Sequence, residues 1–247
     1  MNINCVTQCL AASYELLQEK TSRFLNIFLK RSTLAIFVVF ILNAASANAS
    51  DIDKLMKDIR YGYLQTSLKA VEELGKIEGK EAVDSLLYVV FTREEDWEVK
   101  IRAIRLLGEI EDKKVTDALV RVFNNPFLNE ECPAIKWNVA LALGKGFNKD
   151  SRAVDSLISA LDYKSLLIRE AAIQSLGKIG NPKAVPHLLT ALDDESFAIK
   201  ISAIRALGRI RESSAIPFLQ RIAANTDDPY IRQEALSVLG ILRKDLL

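Results

Sequence analysis

The apolar positions of residues 50–247 recur in one register. A Leu-Gly pair marks each period, at Leu74-Gly75, Leu107-Gly108, Leu143-Gly144, Leu176-Gly177, Leu207-Gly208 and Leu239-Gly240, with spacings of 33, 36, 33, 31 and 32 residues. Nine residues before the glycine stand Val99, Ile135, Ile168, Ile199 and Ile231. Five before it stand Ala103, Val139, Ala172, Ala203 and Ala235, and four before it Ile104, Ala140, Ile173, Ile204 and Leu236. Counted back from the glycine, positions −9, −5, −4 and −1 form one stripe of a 3.6-residue helix. The small residue at −5 and the glycine itself predict close approach to a neighbouring helix.

A second helical pattern fills the remainder of each period. It runs over Lys80–Val90, Lys114–Phe123, Arg152–Leu161, Lys183–Leu192 and Ser214–Ile222, with apolar sets such as Val154/Leu157/Ile158 and Val185/Leu188/Leu189. Asp51–Arg60, with Ile52, Leu55 and Ile59 on one stripe, supplies the missing first helix of the first unit. Turn chemistry separates the helices at Gly180-Asn181-Pro182, Asp193-Asp194 and Asp227-Asp228-Pro229, and Pro133 and Pro229 stand where a first helical turn begins. One hairpin cannot bury its own apolar face, whereas a stack buries a continuous core. The prediction is an all-α, right-handed α-solenoid of about six two-helix repeats, whose second helices line a concave side.

Residues 1–49 follow a different pattern. Lys30-Arg31 precedes the apolar run Leu34–Leu42, and small residues follow as far as Ala47-Asn48-Ala49. This is the order of a secretory signal ending in an A-x-A cleavage site. The nine-residue run is short beside the roughly 20 residues of a membrane span, so cleavage after Ala49 is the expectation, with an uncleaved N-terminal anchor as the alternative. Export places the protein in the periplasm or outside the cell, and a membrane is involved only if the leader stays. The stretch before the apolar core is long for a signal, which fits a start codon assigned too far upstream. The leader carries Lys20, Arg23, Lys30 and Arg31 against Glu15 and Glu19, a net +2, so residues 50–247 carry −1 of the chain's formal +1. That balance disfavours nucleic acid. Cys5 and Cys9 leave with the leader; Cys132 alone remains, and no internal disulfide can form.

The run Asp228-Pro229-Tyr230-Ile231-Arg232-Gln233-Glu234-Ala235-Leu236-Ser237-Val238-Leu239-Gly240, and likewise Ile168-Arg169-Glu170-Ala171-Ala172-Ile173-Gln174-Ser175-Leu176-Gly177, resembles HEAT repeats of the short bacterial type called PBS-lyase HEAT-like. The resemblance covers essentially all of residues 63–247 and specifies the fold far better than the function. Ser67 departs from it, standing where later repeats have Lys or Arg, as a terminal repeat does. The longest spacing carries the insert at residues 124–132.

Two enzyme families share the repeat. Deoxyhypusine hydroxylases use paired His-Glu motifs around a di-iron centre, and this chain has no such pair. Bilin-attaching lyases work on light-harvesting proteins inside the cell, in conflict with an export signal. With one His, His187, and one Cys after the leader, a His/Cys metal site lacks ligands, and a Ser-His-Asp set would have to use His187, which reads as an ordinary surface or half-buried residue with no partner motif. We therefore expect no catalytic residue, no metal and no cofactor. A lyase-like or accessory enzyme subunit remains the alternative to a protein-interaction scaffold.

Eight residues before the glycine stand Lys100, Lys136, Arg169, Lys200 and Arg232, with Asp96, Glu131, Asp162, Asp194 and Asp228 near or just upstream of them. The expectation is a structural ladder of ion pairs between the two sets. Positions −7 and −3 point away from the stripe, and there stand Ile101/Arg105, Trp137/Leu141, Glu170/Gln174, Ile201/Arg205 and Gln233/Ser237. Ile101, Arg105, Trp137, Leu141, Ile201 and Arg205 are apolar or Arg-bearing for solvent positions and form the candidate strip for a protein partner, because Trp and Arg are enriched at binding hot spots. The competing reading packs Trp137 under the insert. Trp97 and Phe197, which share position −11, are expected to pack between turns.

Overall fold

The computed structural model of the chain describes residues 50–92, 95–126, 133–145 and 150–244. Residues 1–49, with Cys5 and Cys9, and most of the insert, including Glu131 and Cys132, lie outside the described residues. Contacts divide the chain into residues 1–53 and 54–247, and the repeat stack belongs to the second unit.

Among the described residues every regular element is helical. Residues 50–61 are helical. After them come α1 (Leu64–Leu74), α2 (Lys80–Phe91), α3 (Trp97–Leu107), α4 (Lys113–Asn124), α5 (Pro133–Leu143), α6 (Ser151–Ser159), α7 (Leu166–Ile179), α8 (Val185–Thr190), α9 (Phe197–Ile210), α10 (Ile216–Asn225) and α11 (Pro229–Lys244). The odd-numbered helices are those that carry or precede the repeated glycine. Each packs against the next odd-numbered helix, and each even-numbered helix packs against the odd-numbered one that follows it. This is a solenoid of two-helix repeats.

The stripe read from the sequence is the core, except at Leu236, position −4 of the last repeat, which is 56% exposed. Ala103, Val139, Ala172, Ala203 and Ala235 at position −5 are all 0% exposed, as are Leu74, Leu107, Leu143, Leu176 and Leu207 at −1. Each such leucine contributes on the order of 1.5–3 kcal/mol of burial. The glycine permits the helices to approach. A Cβ built on Gly108 would lie 2.8 Å from the Ala142 Cβ, on Gly144 2.7 Å from the Ser175 Cα, and on Gly177 2.7 Å from the Ala206 Cα. The partner is in each case the residue two before the next glycine, so one contact repeats along the stack. Gly240 has nothing within 4 Å. At the middle contact the buried Ser175 donates its hydroxyl to the Ala140 carbonyl at 2.8 Å, tying α7 to α5.

The basic ladder is structural: Arg169 pairs with one of the expected acids, Asp194, and the other described partners are carbonyls, a hydroxyl and aromatic rings. Arg232 donates to the carbonyls of Ala223 and Thr226, at the end of α10. Arg169 donates to the Tyr163 carbonyl at 3.0 Å, after α6, and pairs with Asp194 of the following repeat at 3.5 Å. Ser67 reaches the Ile59 carbonyl at 2.9 Å in the same manner. At Ser67, Arg169 and Arg232 the residue at −8 thus satisfies carbonyls left open near the end of the preceding helix. Lys136 is buried with its ammonium 2.8 Å from the Tyr163 hydroxyl and over the rings of Phe123 and Tyr163, at 4.6 and 4.1 Å. Asp96 and Asp228 are occupied as helix N-caps instead: Asp96 accepts from the Glu98 N–H at 2.7 Å and Asp228 from the Tyr230 N–H at 2.8 Å. Capping at a fixed turn is an alternative use of an acid that sequence spacing alone does not distinguish from pairing.

A different ion-pair row laces the even-numbered helices and their flanking turns. Asp84 pairs with Lys114, Asp117 with Arg152, Asp155 with Lys183 at 2.5 Å, and Asp193 with Arg221 at 3.3 Å. All these partners are solvent-accessible, so each pair contributes at most about 1 kcal/mol. The register is nevertheless regular, each acid meeting a base of the next repeat. Gly180 ends α7 in the left-handed region at φ 71°, and Arg211 takes the equivalent place after α9 at φ 62°.

Candidate protein-binding surface

The six residues of the predicted strip stand on one face of α3, α5 and α9. Ile101, Trp137 and Leu141 are half-buried, and Arg105 and Arg205 are exposed. Ile201, expected at a solvent position, is only 6% exposed and forms a floor rather than an edge. Glu170 and Gln174 of α7 occupy the same two positions between the Trp137/Leu141 and Ile201/Arg205 pairs, so the strip is interrupted by polar side chains.

The face deepens at α7, α9 and α11 into a groove of about 540 Å³, floored by Ile201 and Ser202 and bordered by Glu170, Lys178, Arg205 and Arg209. Its mouth carries Phe197 and Tyr230, with ring centroids 5.8 Å apart. These two rings pack between successive repeats yet remain 48% and 47% exposed, and Trp97 remains 49% exposed. A second hollow of about 600 Å³ adjoins it, sharing Lys178, Arg205 and Arg209. Arg205 binds Glu234 at 2.6 Å and the Tyr230 hydroxyl at 2.8 Å. The hydrogen bond to Glu234 holds its proton affinity above that of an ordinary guanidinium. Glu170 accepts from Gln174 at 3.2 Å and Ser202 at 3.3 Å.

Sequence reasoning placed Ile201 and Arg205 here and missed Phe197, Tyr230, Lys178 and Arg209. Each lies on a different repeat or outside positions −7 and −3, and only stacking brings them together. His187 is exposed on α8, on the opposite layer. Among the described residues, no three His, Cys, Asp or Glu side chains converge as metal ligands, and no helix is long and apolar enough to cross a membrane.

A family model described as HEAT repeats matches residues 65–127, 126–199 and 185–245, together most of the chain. The chain belongs to the HEAT repeat family. No curated protein matches it significantly. Among solved structures it is similar to an engineered protein at 18% identity, covering 78% of this chain and 97% of that one, with a TM-score of 0.55. It is also similar to the complex of CpcE and CpcF of phycocyanin lyase from Nostoc sp., at 23% identity, covering 76% of each chain, with a TM-score of 0.52. A designed armadillo repeat protein in complex with the peptide (KR)4 matches at 15% identity over 76% of this chain and 98% of that one, with a TM-score of 0.52. At these identities the likeness concerns the fold.

Proposed function

We propose that this HEAT-repeat protein is an exported, non-catalytic interaction scaffold that holds a protein partner against its odd-numbered helices. The carrying observation is the groove itself: two half-exposed aromatic rings beside cations, on a face where a folded monomer gains nothing from leaving them open. A peptide seated on a solenoid of the same fold, in the designed armadillo protein, supports that use of the surface. The Lys30-Arg31, apolar-run and Ala47-Asn48-Ala49 order supports export to the periplasm or beyond.

The test is site-specific photocrosslinking in cells, with a photoreactive phenylalanine at position 137 or 197, and at 187 as the comparison. One partner crosslinked from 137 and 197 but not from 187, in the envelope fraction, is the expected result. Adducts from 187 alone, or none, overturn the reading. An intact mass lacking residues 1–49 reports export by cleavage; a cytoplasmic chain that retains them overturns it. The similarity to a phycocyanin lyase favours a second reading, an accessory lyase-like subunit. A bilin chromophore mixed with the purified protein distinguishes it, since a lyase-like role requires a change in the bilin absorption spectrum.

A further inference from the structure

We propose, building on the interaction reading above, that the groove between α7, α9 and α11 receives an extended acidic segment of a partner polypeptide, with carboxylates on Lys178 and Arg209 and an apolar side chain against Phe197 and Tyr230. The charge pattern identifies the occupant. Lys178 and Arg209 follow their repeat glycines directly, at position +1. Elsewhere in the stack that position is neutralised: Lys145 meets Glu109, itself a +1 residue, at 2.5 Å, and Lys76 meets Glu73 at 2.7 Å. The outer row of Asp84–Lys114, Asp117–Arg152, Asp155–Lys183 and Asp193–Arg221 does the same. The carboxylate of the groove and that of the adjoining hollow are already engaged, Glu170 by Gln174 and Ser202 and Glu234 by Arg205. Lys178 and Arg209 form no ion pair among the described residues, although both border the two adjoining hollows. Of the charged residues at position +1, Lys178 and Arg209 alone lack an opposite charge among the described residues, and both border one groove.

The spacing describes the ligand. Adjacent packed helices lie about 8–10 Å apart, within reach of two carboxylates two residues apart, which share one face of an extended chain at about 7 Å. Phe197 precedes Arg209 by twelve residues of one helix, about 18 Å. An extended segment crosses that length in about five or six residues.

Fluorescence anisotropy of the full chain tests this with a labelled peptide carrying one Leu and, about six residues on, two Glu separated by one Ser, so that all three share one face of the extended chain. The comparisons are the same peptide with Gln for Glu and a single-stranded DNA oligonucleotide of equal length. At low salt the Glu peptide should bind about tenfold more tightly than the Gln peptide, as two exposed charge pairs allow, and salt should erode the difference. The Lys178→Glu/Arg209→Glu double variant should abolish the preference, whereas Lys145→Glu should leave it. Circular dichroism of both variants establishes that they fold. Equal affinity for the two peptides, no binding of either, or a preference that survives the double variant overturns the proposal. Tighter binding of the oligonucleotide, lost in the double variant, overturns it in favour of phosphate. Crosslinks from position 137 that persist while the peptide fails remove only the acidic ligand; loss of both removes the interaction reading too.

Discussion

Replacing Gly177 with Ala should destabilise the stack, while the same change at Gly240 should stabilise it. Both glycines lie within helices, α7 and α11, so both substitutions gain helix propensity, about 0.5–1 kcal/mol. They differ in what the methyl meets. At 177 it would lie 2.7 Å from the Ala206 Cα and 2.8 Å from its Cβ. A backbone atom cannot rotate away, so reaching a normal carbon contact of about 3.5 Å requires α7 and α9 to part by about 0.8 Å. Overpacking of this kind costs about 1–3 kcal/mol, leaving a net loss of about 1–2 kcal/mol after the propensity gain. At 240 nothing lies within 4 Å and only the gain remains. Gly208→Ala should fall between them, because its methyl meets only Val238 side-chain atoms, the nearest at 3.0 Å. Urea unfolding followed by circular dichroism reads the order directly. With a slope near 2 kcal/mol/M, the Gly177→Ala midpoint should fall by about 0.5–1 M and the Gly240→Ala midpoint should rise. If both midpoints rise together, close helix approach is not what the repeated glycine provides.

Three further outcomes follow from the same contacts. Ser175→Ala removes the 2.8 Å hydroxyl bond to the Ala140 carbonyl and should cost about 1 kcal/mol in the same urea assay; an unchanged midpoint would show that the bond adds nothing. Arg211→Gly relieves a left-handed residue and should raise stability by about 0.5–1 kcal/mol, with a lower midpoint counting against strain at that turn. The Arg152 side-chain hydrogen bond, with support from the Arg152 backbone N–H, holds the Asp150 carboxyl below the usual carboxylate range despite opposing burial. A carboxyl lowered in the folded state stabilises fully above its unfolded value, near pH 4, and loses that contribution as pH falls through the folded value. Asp150→Asn should therefore show a shallower loss of thermal stability on acidification below pH 4, and an identical acid profile would refute the linkage.

The one-dimensional pattern was sufficient for the fold. In a stack with nearest-neighbour contacts, facing the core is a property of a residue's place in its own helix, so Ala103, Leu107, Ala172 and Leu176 could be assigned from spacing alone. Pro133 and Pro229 likewise open α5 and α11 where their missing N–H groups cost nothing. Partnership is not such a property. Whether Asp96 caps a helix or pairs with Lys100, whether Arg169 turns to Asp194, and whether Ile201 is edge or floor depend on the angle and distance of the adjacent repeat. The groove depends on stacking most of all: Phe197 and Tyr230 are 33 residues apart in the chain and 5.8 Å apart in space. The unpaired state of Lys178 and Arg209 follows from which acids the neighbouring helices bring within reach, which no periodicity encodes.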